Sequence, residues 1–140
     1  MGERRKKGLY SQFIRTFGES ELVFEEGGSG YEMYIVYSGR VKIHTHKQGK
    51  DITLGIVEPG QFFGEMAICD SAPRTATATS LDKNTRLIVL DQDKFLYLIS
   101  QQPAFALTIM QSLCQRIRDR WDLLDKCLES GSGKEIPSKK

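Results

Sequence analysis

Apolar residues recur at helical spacing near the start of the chain, and Gly18 ends the pattern. The apolar residues that share one side of this period are Leu9, Phe13, Ile14 and Phe17. We therefore predict an N-terminal helical segment within residues 1–20.

From Glu21 to about Leu90 the pattern changes to short strands. Apolar and polar residues alternate in the segments 41–46 and 52–57. Turn dipeptides separate the runs: Ser38-Gly39, Gln48-Gly49 and Pro59-Gly60. Many short strands at regular spacing are typical of a β-sandwich or β-barrel, so residues 21–92 are predicted to form one β domain.

Helical spacing returns after Asp91. A short amphipathic helix is indicated by Phe95, Leu98 and Ile99. Pro103 stands where the first turn of a helix tolerates proline, and a long helix is predicted to follow to about Leu128. Residues 93–129 thus hold a short hinge helix and a long C-terminal helix. Residues 130–140, rich in Gly, Ser, Pro and Lys, are expected to form a disordered tail.

The long helix has a heptad pattern. One line is formed by Met110, Ile117 and Leu124, and a second line, offset by three, by Leu113, Arg120 and Cys127. Either this helix packs its stripe on its own β domain, or it pairs with the same helix of a second chain in a parallel homodimer. The pattern leaves both interpretations open.

Composition narrows the class of protein. The 140 residues suffice for one domain, and the net charge of +2, with both signs dispersed, does not indicate a nucleic-acid surface. The basic run at residues 4–7 is interpreted as a solvated tail, with a membrane or nucleic-acid contact as the alternative. No apolar run reaches the ~18 residues of a membrane span. Three irregularly spaced cysteines indicate a reduced, cytoplasmic protein.

The segment 61–77 has the most informative chemistry. It combines one carboxylate, Glu65, with one guanidinium, Arg74, and with small residues that let backbone approach a ligand, Gly64 and Ala67. The guanidinium can bond two phosphate oxygens at once, and a helix N-terminus also attracts the negative charge of a phosphate. Glu65 does not favour a phosphate, so it requires another partner, and a ribose 2′-OH can donate to it. These groups suit a ligand with an anionic end beside a sugar hydroxyl.

At these residues the chain resembles the cyclic nucleotide-binding domain family. The family's phosphate-binding cassette reads roughly F-G-E-[LM]-A-[LI], a short loop and P-R-[AST]-A-[TS], which Phe63 to Thr77 match without a gap. The segments 22–27 and 33–43 also resemble the family's first strands. The resemblance implies a mainly β fold: an antiparallel jelly-roll β-barrel with its phosphate-binding cassette at residues 62–77, flanked by an N-terminal helix, a short hinge helix and a long C-terminal helix.

The resemblance also implies a function and a site. A cyclic nucleotide, cyclic AMP or alternatively cyclic GMP, is expected to bind with its ribose on Glu65 and its phosphate on Arg74. Arg120 and Trp121 are the candidates for contacts with the base on the C-terminal helix, whose movement would report binding. The expected ligand-binding residues are Gly64, Glu65, Met66, Ala67, Arg74, Thr75, Ala76, Arg120 and Trp121.

The resemblance indicates a regulatory domain rather than an enzyme, with no catalytic residues, no metal, and no membrane contact. A helix-turn-helix module needs more than the dozen residues after the long helix, so no nucleic-acid contact is expected from this chain. Two alternatives remain: a structural β-roll that binds no nucleotide, and a cupin-like metal protein. For the latter, His44 and His46 share a strand face, but the chain has only these two histidines.

Overall fold

The computed structural model describes residues 12–69 and 72–131. Its strands are β1 (Ile14–Phe17), β2 (Leu22–Phe24), β3 (Met33–Ser38), β4 (Val41–Lys47), β5 (Lys50–Val57), β6 (Phe62–Phe63), β7 (Thr77–Ser80) and β8 (Thr85–Leu90). Its helices are α1 (Met66–Cys69), α2 (Gln92–Gln101) and α3 (Ala104–Gly131). The chain divides into two compact units, one up to residue 95 and the other from residue 96.

The first unit consists of two four-stranded sheets. One has the order β1-β8-β3-β6 and the other the order β2-β7-β4-β5, and all their pairings are antiparallel. The predicted mainly antiparallel β fold with C-terminal helices is confirmed. The Gln48-Gly49 turn joins β4 to β5 with positive φ at both residues, which matches the right-handed twist of a hairpin.

The core of this unit is formed by inward-facing apolar side chains of both sheets. The buried members are Phe17, Tyr34, Val36, Val41, Phe63, Ala78, Leu87 and Val89. Phe24, Val23, Ile43 and Val57 pack against them and are partly buried. Burial of this apolar surface is the main force that holds the two sheets together.

The N-terminal helix is corrected for the residues that the structure describes. Ile14–Phe17 form β1, which pairs with β8 in the register Ile14 with Ile88 and Phe17 with Thr85. Phe17 is buried in the core, and β-branched residues such as Ile14 and Thr16 favour a strand. Over so short an apolar run, helical and strand spacing are hard to tell apart. Residues 1–11, where the rest of that helix was expected, lie outside the described residues.

The second unit contains most of α2 and all of α3. The α3 helix continues three residues past Leu128, so Glu129, Ser130 and Gly131 are helical although part of this segment was expected to be disordered. Residues 132–140, the rest of the expected tail, lie outside the described residues. No helix of the described chain combines the length and the apolar character needed to cross a membrane.

An exposed apolar line runs along α3. Its members are Leu107, Met110, Ile117, Trp121 and Leu124, with the exposed Cys114 between them. These positions alternate in steps of three and four, as the a and d positions of a heptad do. The line shares Met110, Ile117 and Leu124 with the predicted heptad pattern. The positions between them differ, because the line contains Trp121 where the predicted pattern has Arg120.

Candidate functional site

The predicted cassette connects β6 to β7. Gly64 has φ of +78°, a conformation that glycine adopts without strain, and it turns the chain directly after β6. The next residues form the single turn α1, in which the Ile68 and Cys69 amides donate to the Glu65 carbonyl. A helix of only four residues has a weak dipole, so it adds little to the attraction of an anion.

Arg74 is buried, with 8% of its surface exposed. Its Nη2 donates to the Glu32 carbonyl at 2.8 Å, and its Nη1 donates to the Gly64 carbonyl at 3.3 Å. Its Cζ lies 4.1 Å from the centroid of the Phe24 ring. Its Nε is buried without a hydrogen-bond partner, and within the described chain no carboxylate forms an ion pair with it. Among the residues that the structure describes, the contacts of the Arg74 guanidinium are therefore with backbone carbonyls and aromatic rings.

Glu65 is also buried, with 6% of its surface exposed. The fold thus takes one carboxylate and one guanidinium of the cassette out of bulk water. Removing charges from water is costly unless partners replace the lost hydration, so buried ionisable groups of this kind often mark a functional site.

The remaining predicted residues of the cassette differ in exposure. Ala67 and Ala76 are buried, whereas Met66 and Thr75 are exposed. Arg120 and Trp121 lie on α3 in the second unit, and both side chains are exposed. Trp121 belongs to the apolar line of α3, so packing against another apolar surface is an alternative to the expected stacking on a base.

Sequence reasoning missed the residues that surround Arg74. Phe24 and Glu32 contact its guanidinium, and the segment 27–30 is hydrogen-bonded to its backbone. The Gly27 amide donates to the Arg74 carbonyl at 2.8 Å, and the Arg74 amide donates to the Gly28 carbonyl at 2.9 Å. The three glycines of this segment were the available signal, because close backbone packing often requires glycine.

The aromatic residues below Arg74 form a stacked group. The rings of Tyr34 and Phe63 lie 5.1 Å apart at an angle of 16°, and Phe24 lies 5.7 Å from Tyr34. The Tyr34 hydroxyl donates to Glu32 Oε1 at 3.2 Å. Burial raises the pKa of Tyr34, and the nearby charge of Glu32 raises it further. Tyr34 therefore stays a neutral hydrogen-bond donor at neutral pH.

His44, one of the two histidines that suggested a metal site, has other contacts. His44 Nδ1 lies 2.8 Å from Asp51 Oδ1, and His44 Nε2 lies 2.9 Å from Thr79 Oγ1. The hydrogen bond from His44 lowers the pKa of Asp51, and the positive charge of Lys42, whose Nζ lies 3.7 Å from Asp51 Oδ2, lowers it further. Over the described residues, no three His, Cys, Asp or Glu side chains are grouped to hold a metal ion.

A cavity of about 290 Å³ lies beside α1. It is lined by Tyr31, Ala67, Ile68, Asp91, Gln92 and Asp93. Its lining contains two carboxylates and no cationic side chain, so it does not suit a phosphate. The buried guanidinium of Arg74 does not line this cavity.

The chain is similar to known proteins of one family. Residues 14–102 match the sequence profile of a family described as "Cyclic nucleotide-binding domain". The "Cyclic AMP receptor protein" of Thermus thermophilus is 33% identical over 106 residues, which are 75% of this chain and 49% of that protein. The chain therefore spans about half the length of this relative.

Solved structures show the same fold. The crystal structure of the Thermus thermophilus Catabolite Activator Protein matches with a TM-score of 0.74 and 28% identity, covering 91% of this chain and 68% of that one. The EAL enzyme Bd1971 matches in its cAMP-bound form, with a TM-score of 0.57, 29% identity and coverage of 87% and 34%. Its cGMP-bound form matches with a TM-score of 0.58, 30% identity and coverage of 80% and 30%.

Proposed function

The chain belongs to the cyclic nucleotide-binding domain family, and we propose that it binds a cyclic nucleotide through Arg74 and Glu65 as a regulatory sensor domain. The observation that carries this proposal is the buried guanidinium of Arg74, which has no carboxylate partner among the described residues.

Arg74 suits a cyclic phosphate for a physical reason. Two carbonyls and the aromatic rings of Phe24 and Tyr34 replace its lost hydration only in part, and Nε still has an unused donor. A singly charged phosphodiester supplies the missing negative charge and accepts hydrogen bonds from the guanidinium. Charge-assisted bonds of this kind are about twice as strong as bonds between neutral groups.

Glu65 is proposed to accept a hydrogen bond from the ribose 2′-OH. It lies directly after Gly64, whose carbonyl accepts from Arg74, so the two charged residues of the cassette are joined through one short turn. A carboxylate placed beside the phosphate would repel it, and a sugar hydroxyl is the part of the ligand that a carboxylate favours. Gly64, Met66, Ala67, Thr75 and Ala76 are proposed to line the same site.

The base is proposed to be adenine, with guanine as the alternative. The Thermus thermophilus relative is named for cyclic AMP, whereas solved forms of Bd1971 hold cAMP and cGMP. Thr75 is exposed, so its hydroxyl is available to a ligand. Arg120 and Trp121 are proposed as contacts to the base.

We propose that the domain regulates and does not catalyse. The name of the Thermus thermophilus relative, "Cyclic AMP receptor protein", supports this role. Binding is proposed to change the position of α3, and the exposed apolar line of that helix is proposed to form a parallel homodimer. The ligand shifts this equilibrium only if it binds one position of α3 more tightly than the other. A cytoplasmic location and the absence of a resident metal are part of the same proposal.

Thermal unfolding with added ligand tests the binding step. Cyclic AMP at a hundred times its dissociation constant should stabilise the protein by about 2.7 kcal/mol. Cyclic GMP is measured in parallel, and linear 5′-AMP serves as the control because its phosphate is no longer held in a ring. A melting temperature unchanged by either cyclic nucleotide at millimolar concentration would favour a structural β-roll without a ligand.

A further inference from the structure

Gly30 packs against the charged end of Arg74. A Cβ atom built on Gly30 would lie 2.6 Å from both Nε and Nη2 of Arg74 and 2.8 Å from its Cζ. Real Cβ atoms essentially never approach other heavy atoms so closely. The φ of Gly30 lies outside the left-handed region, so glycine is needed here for space and not for backbone conformation.

The guanidinium has little freedom to move away from such a side chain. Nη2 is bonded to the Glu32 carbonyl and Nη1 to the Gly64 carbonyl, and the Phe24 ring packs against Cζ. Gly64 also lies close, since a Cβ there would be 3.0 Å from Nη1. Any side chain at position 30 must therefore break at least one of these contacts or displace the segment that contains it.

The backbone contacts explain why that segment is itself held in place. Gly27 and Gly28 exchange hydrogen bonds with the backbone of Arg74, and the Glu26 amide donates to Thr77 Oγ1 at 3.0 Å. The segment before β3 and the start of β7 thus move together. A group that is fixed before its ligand arrives loses less entropy on binding, and affinity rises accordingly.

We propose that Gly30 is a positioning residue, which fixes the guanidinium of Arg74 by close packing so that it meets an anion without rearrangement. Gly30 does not touch the ligand in this account and acts only through Arg74. The identity of the anion as a cyclic nucleotide rests on the proposed function, whereas the effect of Gly30 on Arg74 does not.

Substitution by alanine tests the proposal. Gly30→Ala should weaken cyclic AMP binding, measured by isothermal titration calorimetry, by roughly tenfold or more because the charge-assisted bonds lose their geometry. Gly55→Ala is the matched control: a Cβ at Gly55 meets nothing within 4 Å and its φ lies outside the left-handed region, so its affinity should equal that of the wild type.

The same substitution in an Arg74→Lys variant distinguishes loss of Arg74 positioning from a general disturbance of the structure. Lysine lacks the planar group that a Cβ at position 30 would strike, so Gly30→Ala should cost much less affinity in Arg74→Lys than in the wild type. If Gly30→Ala alone does not fold, the double variant should fold. An equal loss in both backgrounds, or a double variant that stays unfolded, would show that Gly30 acts on the backbone and not on Arg74.

A measurement without ligand distinguishes failure of this proposal from failure of the proposed function. In the wild type the Arg74 Nε–H proton is buried and should give a resolved, slowly exchanging NMR signal. Gly30→Ala should shift this signal and speed its exchange, and Gly55→Ala should leave it unchanged. If cyclic AMP does not bind but these shifts occur, Gly30 still positions Arg74 and only the ligand is wrong. An unshifted signal in Gly30→Ala would overturn the positioning role whatever the ligand.

Discussion

The guanidinium of Arg74 lies 4.1 Å from the centre of the Phe24 ring, and this contact joins the cassette to the aromatic side chains of the core. A cation over an aromatic face is stabilised by the ring quadrupole by roughly 0.5–2 kcal/mol. The ring does not neutralise the charge, however. Phe24 therefore holds Arg74 in a place where an anion is still attracted to it.

The ribose assignment of Glu65 predicts a specific ligand preference. Glu65→Gln replaces a charged acceptor by a neutral one of the same shape, so cyclic AMP binding should weaken by about 1–2 kcal/mol. The wild type should discriminate against 2′-deoxy cyclic AMP, and Glu65→Gln should discriminate far less. Calorimetric titration of both proteins with both ligands gives the four affinities. Equal discrimination by the two proteins would refute the contact between Glu65 and the 2′-OH.

The pairing of His44 with Asp51 predicts a pH effect. The pKa of Asp51 is lowered in the folded protein, so the pair stabilises the fold above the unfolded pKa of ~3.9 and loses this contribution as pH falls through the lower folded value. His44→Ala should raise the pKa of Asp51, measured by carboxyl NMR. Asp82 is an internal control, because Arg40 lowers its pKa instead. A pKa of Asp51 that is unchanged by His44→Ala would contradict the pairing.

The apolar line of α3 predicts a dimer. Ile117 is 58% exposed within the chain, and Ile117→Glu should place a charge in the proposed interface and give monomers in analytical ultracentrifugation. Lys126→Gln is the matched control, since it also lowers the net charge by one and lies on the opposite side of the helix. A dimer with a dissociation constant of ~1 µM, which corresponds to about 8 kcal/mol of binding free energy, would be assembled at about 100 µM. A wild-type chain that sediments as a monomer at that concentration would show that the line has another partner.

The proposed coupling to α3 predicts a change in hydrogen exchange. Cyclic AMP should slow exchange in residues 113–128 as well as in the cassette, because binding is proposed to favour one position of the helix. When Arg120 and Trp121 are both replaced by alanine, the ligand should still slow hydrogen exchange in the cassette but should no longer change exchange in the helix. Exchange in 113–128 that is already fully slowed without ligand, together with unchanged affinity in the double variant, would mean that α3 does not respond.

Much of the β domain could be predicted from alternation and turn residues. The hairpin of β4 and β5 follows from two alternating runs around Gln48-Gly49. The start of the chain could not be predicted in the same way. The pairing of β1 with β8 joins residues that are 68 to 74 positions apart in the chain, and no local pattern records that partner.

The contacts of Arg74 could not be predicted from the sequence either. The motif predicts a phosphate-binding role for Arg74. Its contacts with Phe24, Glu32 and Gly30, however, come from a segment more than forty residues earlier in the chain. The burial of Arg74 is likewise not visible in the motif. Burial depends on how the two sheets close around the cassette, and composition and spacing do not specify that closure.

Burial makes the choice of substitution at Arg74 important. Arg74→Met keeps much of the side-chain volume and removes the charge. The lost hydrogen bonds destabilise the free protein, whereas removal of a buried charge that has no carboxylate partner among the described residues stabilises it. We expect the two effects to offset each other to within about 1 kcal/mol in the free energy of unfolding. Arg86→Met is the matched control, because Arg86 also lies over an aromatic ring, that of Tyr37 at 5.3 Å, but is exposed.

The most direct measurement is the affinity for cyclic AMP of the wild type, Arg74→Met and Arg86→Met by isothermal titration calorimetry. The wild type should bind, Arg86→Met should bind equally well, and Arg74→Met should lose roughly 2–5 kcal/mol of binding free energy, a factor of tens or more. Equal affinity of the wild type and a folded Arg74→Met would contradict the account, because the ligand would then be held without the charge that the fold buries for it.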